Sequence, residues 1–234
     1  KKFIKNKIVW ISKINQIKKN PCIFIANEFF DAMPIKQFRK KNNLWFEKFV
    51  NFEKSKNAYF FERMTDIKKI EKKIQFEISH NQTFIEYSEL GIDYLKKISQ
   101  IIKRNKGGLL LIDYGYTDSK MKNTLQAVTN HKFANILEDI GNVDITHNIN
   151  FNLFKKFTEK VVGLKNNLTT QKKFLLSMGI KQRAEILSKN QNFLKQADIF
   201  YRVNRLIDEK QMGNLFKVML IKNKDNNFNI GFEN

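Results

Sequence analysis

The sequence predicts an α/β fold built around a mainly parallel sheet. Three observations carry that reading. Residues 21–26 (Pro-Cys-Ile-Phe-Ile-Ala) and Leu109-Leu110-Leu111-Ile112 are short, continuous apolar runs, the pattern of strands covered on both faces. An amphipathic helical pattern leads through Gly107-Gly108 into the second run, which is the alternation of a βαβ unit. Between the two runs lies a stretch of alternating polar and apolar residues with hairpin turn chemistry.

In chain order, the run at 21–26 ends in the polar pair Asn27-Glu28, the turn after a first strand. Residues 35–40 and 44–52 alternate around Asn42-Asn43, which predicts a hairpin with a tight turn. Residues 58–62 and 74–78 read as further strands of a β insertion spanning about 35–78. Ser88 is placed to cap a helix whose inward face is Leu90, Leu95, Ile98, Ile101 and Ile102, with Glu89 suiting the first turn. Gly107-Gly108 would end that helix. The strand at 109–112 then runs into Asp113-Tyr114-Gly115-Tyr116. Residues 150–160 predict a helix with Phe151, Phe154 and Phe157 inward, and 161–168 a strand. Residues 171–210 read as helices broken near Gly179 and Asn190, and 214–221 as the last strand. The organisation is one α/β domain with a β insertion and a helical insertion at about 170–210.

Composition limits the function classes. The 234 residues carry 43 Lys+Arg against 23 Asp+Glu, a net charge of +20. That excess invites a nucleic-acid or anionic-surface reading. However, 37 of the basic residues are Lys and six are Arg, and Asn reaches 28. Lys, Asn, Ile and Phe share A/T-rich codons, so genome bias accounts for the charge without a selected partner. Specific base recognition also favours the Arg fork. A nucleic-acid partner is therefore not expected. Cys22 is the one cysteine, which excludes a disulfide scaffold and fits a reducing compartment. No apolar run approaches the length of a membrane span.

The chemistry-bearing residues gather at two strand ends. In open α/β sheets ligands bind outside the carboxyl ends of the strands. Asn27, Glu28 and Asp31 follow the first strand and Asp113 follows the second. Glu28 and Asp31 could equally cap the segment that follows. No metal site is expected, because His80, His131 and His147 lie far apart without metal-ligand spacing. Cys22 sits within an apolar run and reads as core. There is no Walker A motif, no G-x-S-x-G and no G-x-G-x-x-G.

Ile25-Ala26-Asn27-Glu28-Phe29-Phe30-Asp31-Ala32-Met33-Pro34-Ile35-Lys36-Gln37-Phe38 resembles the MidA-like class I S-adenosylmethionine-dependent methyltransferases. Further motifs follow in the same order. Glu86-Tyr87-Ser88 resembles the family's Glu-x-Ser before a helix, with Glu89 where Pro often stands. The run from Gly107 to Tyr116 resembles its Gly-Gly-apolar-Ile-Asp-Tyr-Gly-Tyr segment. Thr124-Leu125-Gln126-Ala127-Val128 with His131, then Asp144-Ile145-Thr146 with Phe151, resemble the next two. Thr170-Gln171, Phe174-Leu175-Leu176, Gly179-Ile180 and the run from Met212 to Val218 complete the pattern. His147 is displaced by one position from the family's histidine, so no catalytic role is carried onto it.

The resemblance implies a Rossmann-like methyltransferase sheet, of which residues 1–234 would be the C-terminal two-thirds, without the glycine-rich cofactor loop. It implies S-adenosyl-L-methionine as cofactor and methyl transfer to a protein arginine, in a family that includes a mitochondrial complex I assembly factor. A complex I subunit is then the expected substrate. The expected setting is the cytoplasm of a bacterium or the mitochondrial matrix of a eukaryote. On this reading Glu28 holds the guanidinium, aided by Asp31 or Glu86. Asn27, Glu28 and Phe29 border the cofactor, and Asp113 with Tyr114 shapes the cleft. Two alternatives stay open: a non-catalytic assembly or binding module on the same fold, and methylation of RNA or another substrate.

Overall fold

A computed structural model describes residues 8–53, 58–129, 132–138 and 141–232. Strand β1 (Cys22–Asn27) opens the sheet. β2 (Lys36–Lys41) and β3 (Leu44–Phe52) form the expected hairpin, with Asn42 and Asn43 at φ of +48° and +64°. Two consecutive left-handed residues match the twist of the flanking strands, as in a type I′ turn. β4 (Ala58–Thr65) pairs along β3.

A helix, not a strand, reaches residue 74. In α1 (Ile67–Ile74) the residues Ile67, Glu71 and Ile74 are buried at helical spacing. Asp66 caps it by accepting from the Lys68 N–H at 3.0 Å, and left-handed Gln75 closes it. Ile74, where the expected strand at 74–78 would begin, is instead the last inward residue of this short helix. Phe76 and Ile78 follow as buried residues of an irregular segment.

β5 (Phe84–Tyr87) precedes α2 (Glu89–Asn105), which Ser88 caps as expected, its hydroxyl accepting from the Gly91 N–H at 2.9 Å. Leu95, Ile98, Ile101 and Ile102 face inward with Ile92, whereas Leu90 is 43% exposed. The helix stops at Asn105, and Lys106 takes φ +66°. Gly107 and Gly108 begin β6 (Gly107–Tyr116) instead of ending the helix. The reason is contact: a Cβ on Gly107 would lie 2.0 Å from the Cys22 carbonyl oxygen.

A small sheet follows, of β7 (Gln126–Thr129), β8 (Lys132–Ala134) and β9 (Asp144–Thr146) in the order β8-β7-β9. His131 lies outside the described residues. β10 (Ile149–Asn150) pairs with the end of β6, and α3 (Phe151–Glu159) buries Phe151, Phe154 and Phe157. β11 (Leu164–Thr170) leads to α4 (Gln171–Ser177), α5 (Ile180–Ser188) and α6 (Phe193–Ile207), with the breaks at Gly179 and Asn190 that the pattern predicts. The short α7 (Met212–Leu215) turns the chain into β12 (Phe216–Asn223).

The main sheet has the order β1-β6-β12-β11. β1 and β6 are parallel, with Ala26 opposite Leu111 and Asn27 opposite Ile112. β12 runs antiparallel to both its neighbours, so the sheet is mixed. A second sheet, β4-β3-β2-β5, stands on the carboxyl side of β1. Phe30, Phe38, Ile85, Leu95, Leu109 and Phe151 belong to the core that unites the two. β1 is not covered on both faces: Ile23 and Ile25 are 80% and 73% exposed. Its residues alternate because α2 packs on one side only, and its outer edge pairs with no strand among the described residues.

Candidate active site at the strand ends

The parallel register sets the carboxyl ends of β1 and β6 side by side, so the turn after Asn27 lies against Asp113 and Tyr114. The turn begins with strain. Glu28 has φ +44°, and its N–H donates to the Ile112 carbonyl at 3.0 Å. A left-handed glutamate costs conformational energy, and such residues concentrate at functional sites. Asn27 and Glu28 are exposed and Phe29 keeps 42% of its surface open. The Phe29 ring meets Phe30 and Tyr94 edge-on, at centroid distances of 5.2 and 5.6 Å.

Below this lip the chain turns inward. Phe30 and Asp31 are 1% and 5% exposed. The Tyr114 hydroxyl donates to Asp31 Oδ2. Asp113, 1% exposed, accepts from the Phe30 N–H at 3.2 Å and the Tyr114 N–H at 3.0 Å. Burial, and then the neighbouring Asp31 charge, push the Asp113 carboxyl up to about 7, against the pull of those N–H groups. Burial and the bond to Asp31 raise the Tyr114 phenol above its ordinary value, so it remains a donor. The structure thus joins Asp31, Asp113 and Tyr114 in one cluster, and the exposed Asn27, Glu28 and Phe29 precede it in the turn. Asp31 does not cap a following helix; none begins there.

Glu86 belongs to an adjoining network. It faces Gln37 across β2 and β5 and accepts from the Gln37 amide at 2.6 Å. It also accepts from the Thr124 N–H, at 3.2 and 3.1 Å on its two oxygens, and from the Thr124 hydroxyl. Its carboxylate is engaged inside the protein and ties the second sheet to residues 123–124. That network reaches the cluster through His147. The Asn148 N–H donates to Thr124 Oγ1 at 2.9 Å, and the His147 N–H donates to the Asp31 carbonyl at 3.1 Å. His147 is 6% exposed, and burial lowers its pKa below the usual imidazole value. Sequence reasoning set this residue aside. Its placement depends on β10 pairing with the end of β6, which no local pattern announces.

A further concavity lies elsewhere. A mostly carbon-lined groove of about 760 Å³ sits by Cys22, Gly107 and Gly108, at the amino ends of β1 and β6, and includes none of the residues above. Cys22 lines it half-buried rather than lying in the core. Among the described residues no group of three His, Cys, Asp or Glu side chains has the arrangement of a metal site.

Comparison with known proteins identifies the family. Residues 1–169, well over half of the chain, match a family model described as "Putative S-adenosyl-L-methionine-dependent methyltransferase". The chain belongs to this methyltransferase family. The mitochondrial protein arginine methyltransferase NDUFAF7 of Danio rerio is 26% identical over 92% of this chain and 51% of its own length. The homologue of Caenorhabditis elegans is 31% identical over 75% of this chain and 42% of its own length. The chain therefore spans about half the length of the curated relatives it matches. A Burkholderia thailandensis family structure solved with S-adenosyl-homocysteine has the same fold, with a TM-score of 0.72 at 22% identity, over 94% of this chain and 57% of that one.

The residues present suit a nucleoside cofactor. The turn offers an exposed amide, an exposed carboxylate and one flat ring in succession on Asn27, Glu28 and Phe29. Ribose hydroxyls and a purine plane ask for hydrogen-bonding groups and an aromatic neighbour of this kind.

Proposed function

We propose that this chain carries the acceptor side of an S-adenosylmethionine-dependent protein arginine methyltransferase, as part of a longer methyltransferase domain. The observation that supports it most is the exposed, strained Glu28 in the turn that leads directly into the buried Asp31–Tyr114–Asp113 cluster. The names of the relatives point the same way. When bound, S-adenosylmethionine supplies a methyl group on a positively charged sulfur.

The chain's own residues bind, orient and hold protons. A guanidinium is always charged and presents a planar fork of donors. Glu28 offers a carboxylate that can take that fork through two parallel hydrogen bonds and so fix which nitrogen faces the methyl. Orientation of this kind supplies much of the rate enhancement in a bimolecular transfer. Tyr114 holds Asp31 in one rotamer beside the approach. Asp113, its carboxyl pushed up to about 7, limits the negative charge of the site and can ionise when a cation arrives. Asn27 and Phe29 face the cofactor. Glu86 anchors the floor of the cleft rather than touching substrate.

A complex I subunit is the protein substrate this reading favours. A mitochondrial setting holds if the chain is eukaryotic, and a cytoplasmic one if it is bacterial. Among the described residues no helix is long and apolar enough to cross a membrane. The experiment is Glu28→Gln in the full-length protein, assayed for methylation of an arginine-containing protein. Turnover should fall by about two orders of magnitude with little change in stability, the scale of losing a positioning carboxylate. Unchanged turnover would remove Glu28 from the site. Binding of an RNA with steep salt dependence, and its methylation, would favour the RNA alternative.

A further inference from the structure

Among the described residues, four buried side-chain polar atoms lack a hydrogen-bond partner: Asp31 Oδ1, Tyr87 Oη, Ser99 Oγ and His147 Nε2. Two of the four belong to residues joined by the same backbone hydrogen bond, from the His147 N–H to the Asp31 carbonyl at 3.1 Å. Both side chains are more than nine-tenths buried. Native proteins rarely leave such atoms bare without a ligand, a water or a functional reason.

Their chemistry is the same. Asp31 Oδ2 is already taken by the Tyr114 hydroxyl, so Oδ1 remains as an acceptor. His147 Nδ1 faces the Asn148 carbonyl at 3.4 Å, and a carbonyl only accepts. With the Asn148 carbonyl as the partner of Nδ1–H, the neutral ring presents a lone pair at Nε2. Burial favours the neutral ring. The Glu86 carboxylate from β5, the Asn148 carbonyl, and the Asp31 carboxylate and Phe30 carbonyl from the turn after β1 all pull the other way.

Resting on the methyltransferase reading, we propose that Asp31 Oδ1 and His147 Nε2 form a pair of bare acceptors that receives the substrate guanidinium, with Nε2 taking the proton that methyl transfer releases. A guanidinium has five N–H donors and no acceptor, which is the complement of this pair. A hydroxyl or a nucleobase would bring acceptors of its own. In the transfer, the arginine nitrogen forms its bond to the methyl carbon with its own lone pair. The sulfonium sulfur keeps the electron pair of the bond that breaks. The excess proton on nitrogen passes to Nε2 and leaves an imidazolium beside the Asp31 carboxylate. Both atoms are closed to solvent, so receiving the guanidinium requires the surrounding side chains to part.

The first test needs no cofactor and begins with the wild type. Nitrogen-15 NMR of the histidine rings in the wild-type full-length protein should find the His147 hydrogen on Nδ1, with titration below the ordinary imidazole range. A hydrogen on Nε2 overturns the proposal. In Asp31→Asn the ring should titrate lower still, because a nearby anion is lost; an unmoved midpoint overturns the pairing. The second test is kinetic, with S-adenosylmethionine and an arginine-containing protein. His147→Asn should lower kcat by about 100-fold or more, leave KM for S-adenosylmethionine within about twofold and abolish the acid limb of the kcat profile, as for loss of a general base. Wild-type kcat and pH profile in a stably folded His147→Asn would assign the two atoms to an internal water and overturn the proposal. Absence of any arginine methylation by the wild-type full-length protein would instead refute the methyltransferase reading, while the NMR result still judges the acceptor pair.

Discussion

Asp113→Asn removes one titration from the buried strand end, and its effect on stability can be worked out with its sign. In the folded protein the Asp113 carboxyl is pushed up to about 7 by burial and by Asp31. In the unfolded chain it returns to about 3.9. Below pH 4 it is protonated in both states, and the native site keeps its full contribution. Between roughly 4 and 7 the native state holds a proton that the unfolded chain has lost, so each unit of rising pH costs the wild type about 1.4 kcal/mol. The span of about three units makes the total about 4 kcal/mol as a ceiling. Above pH 7 the contribution is gone and the cost stops growing. Asparagine does not titrate, so the stability of Asp113→Asn relative to wild type should climb by up to about 4 kcal/mol from pH 4 to pH 8 and then level off. Urea denaturation of the two full-length proteins across that range measures it. Because Asp31 supplies part of the shift, Asp31→Asn should shrink the climb. Parallel stability curves for wild type and Asp113→Asn would refute the argument, as would a carbon-13 NMR midpoint for Asp113 near 4.

Substitutions at three positions test the scaffold around the site. Gly107→Ala places a Cβ 2.0 Å from the Cys22 carbonyl oxygen at φ +104°; it should cost at least about 3 kcal/mol by thermal unfolding, and an unchanged melting point would contradict the β1–β6 register. Glu86→Ala strips the acceptor from Gln37 and Thr124 and should cost about 3 kcal/mol. Glu86→Gln should recover part of that loss and keep most of the turnover; an inactive but fully stable Glu86→Gln would make Glu86 a substrate-contacting group after all. Ser88→Ala removes the cap of α2 and a donor to the Pro34 carbonyl at 2.8 Å, so stability should fall by about 1–2 kcal/mol with kcat unchanged; no loss of stability would deny the cap its role.

The parts of the fold that were legible are those with local causes. The Asn42-Asn43 turn, the Ser88 cap, the breaks at Gly179 and Asn190 and the acidic ends of two strands all follow from residues acting on their near neighbours. The misreadings have non-local causes. Ile74, Phe76 and Ile78 alternate like a strand, but Ile74 is the last inward residue of α1, which left-handed Gln75 closes, and Phe76 and Ile78 are buried by the core they pack into. The run at 21–26 looks two-sided, but only one helix packs on β1, so Ile23 and Ile25 stay exposed. Gly107 reads as a helix stop because the approach of Cys22 is invisible in sequence. At the site, Asp31, Asp113 and Tyr114 are brought together by one parallel register. That Glu86 is engaged with Gln37 and Thr124, and that His147 enters the cluster, both depend on chain returning from residues 123–150.

The most direct test of the central claim is transfer of the methyl group by the full-length protein. It would be incubated with isotopically methyl-labelled S-adenosylmethionine and an arginine-bearing protein partner, and the product mapped by mass spectrometry. The account predicts label on arginine nitrogen in the wild type and its loss in Glu28→Gln. Label confined to RNA or to another side chain, or none despite intact cofactor binding, would contradict it.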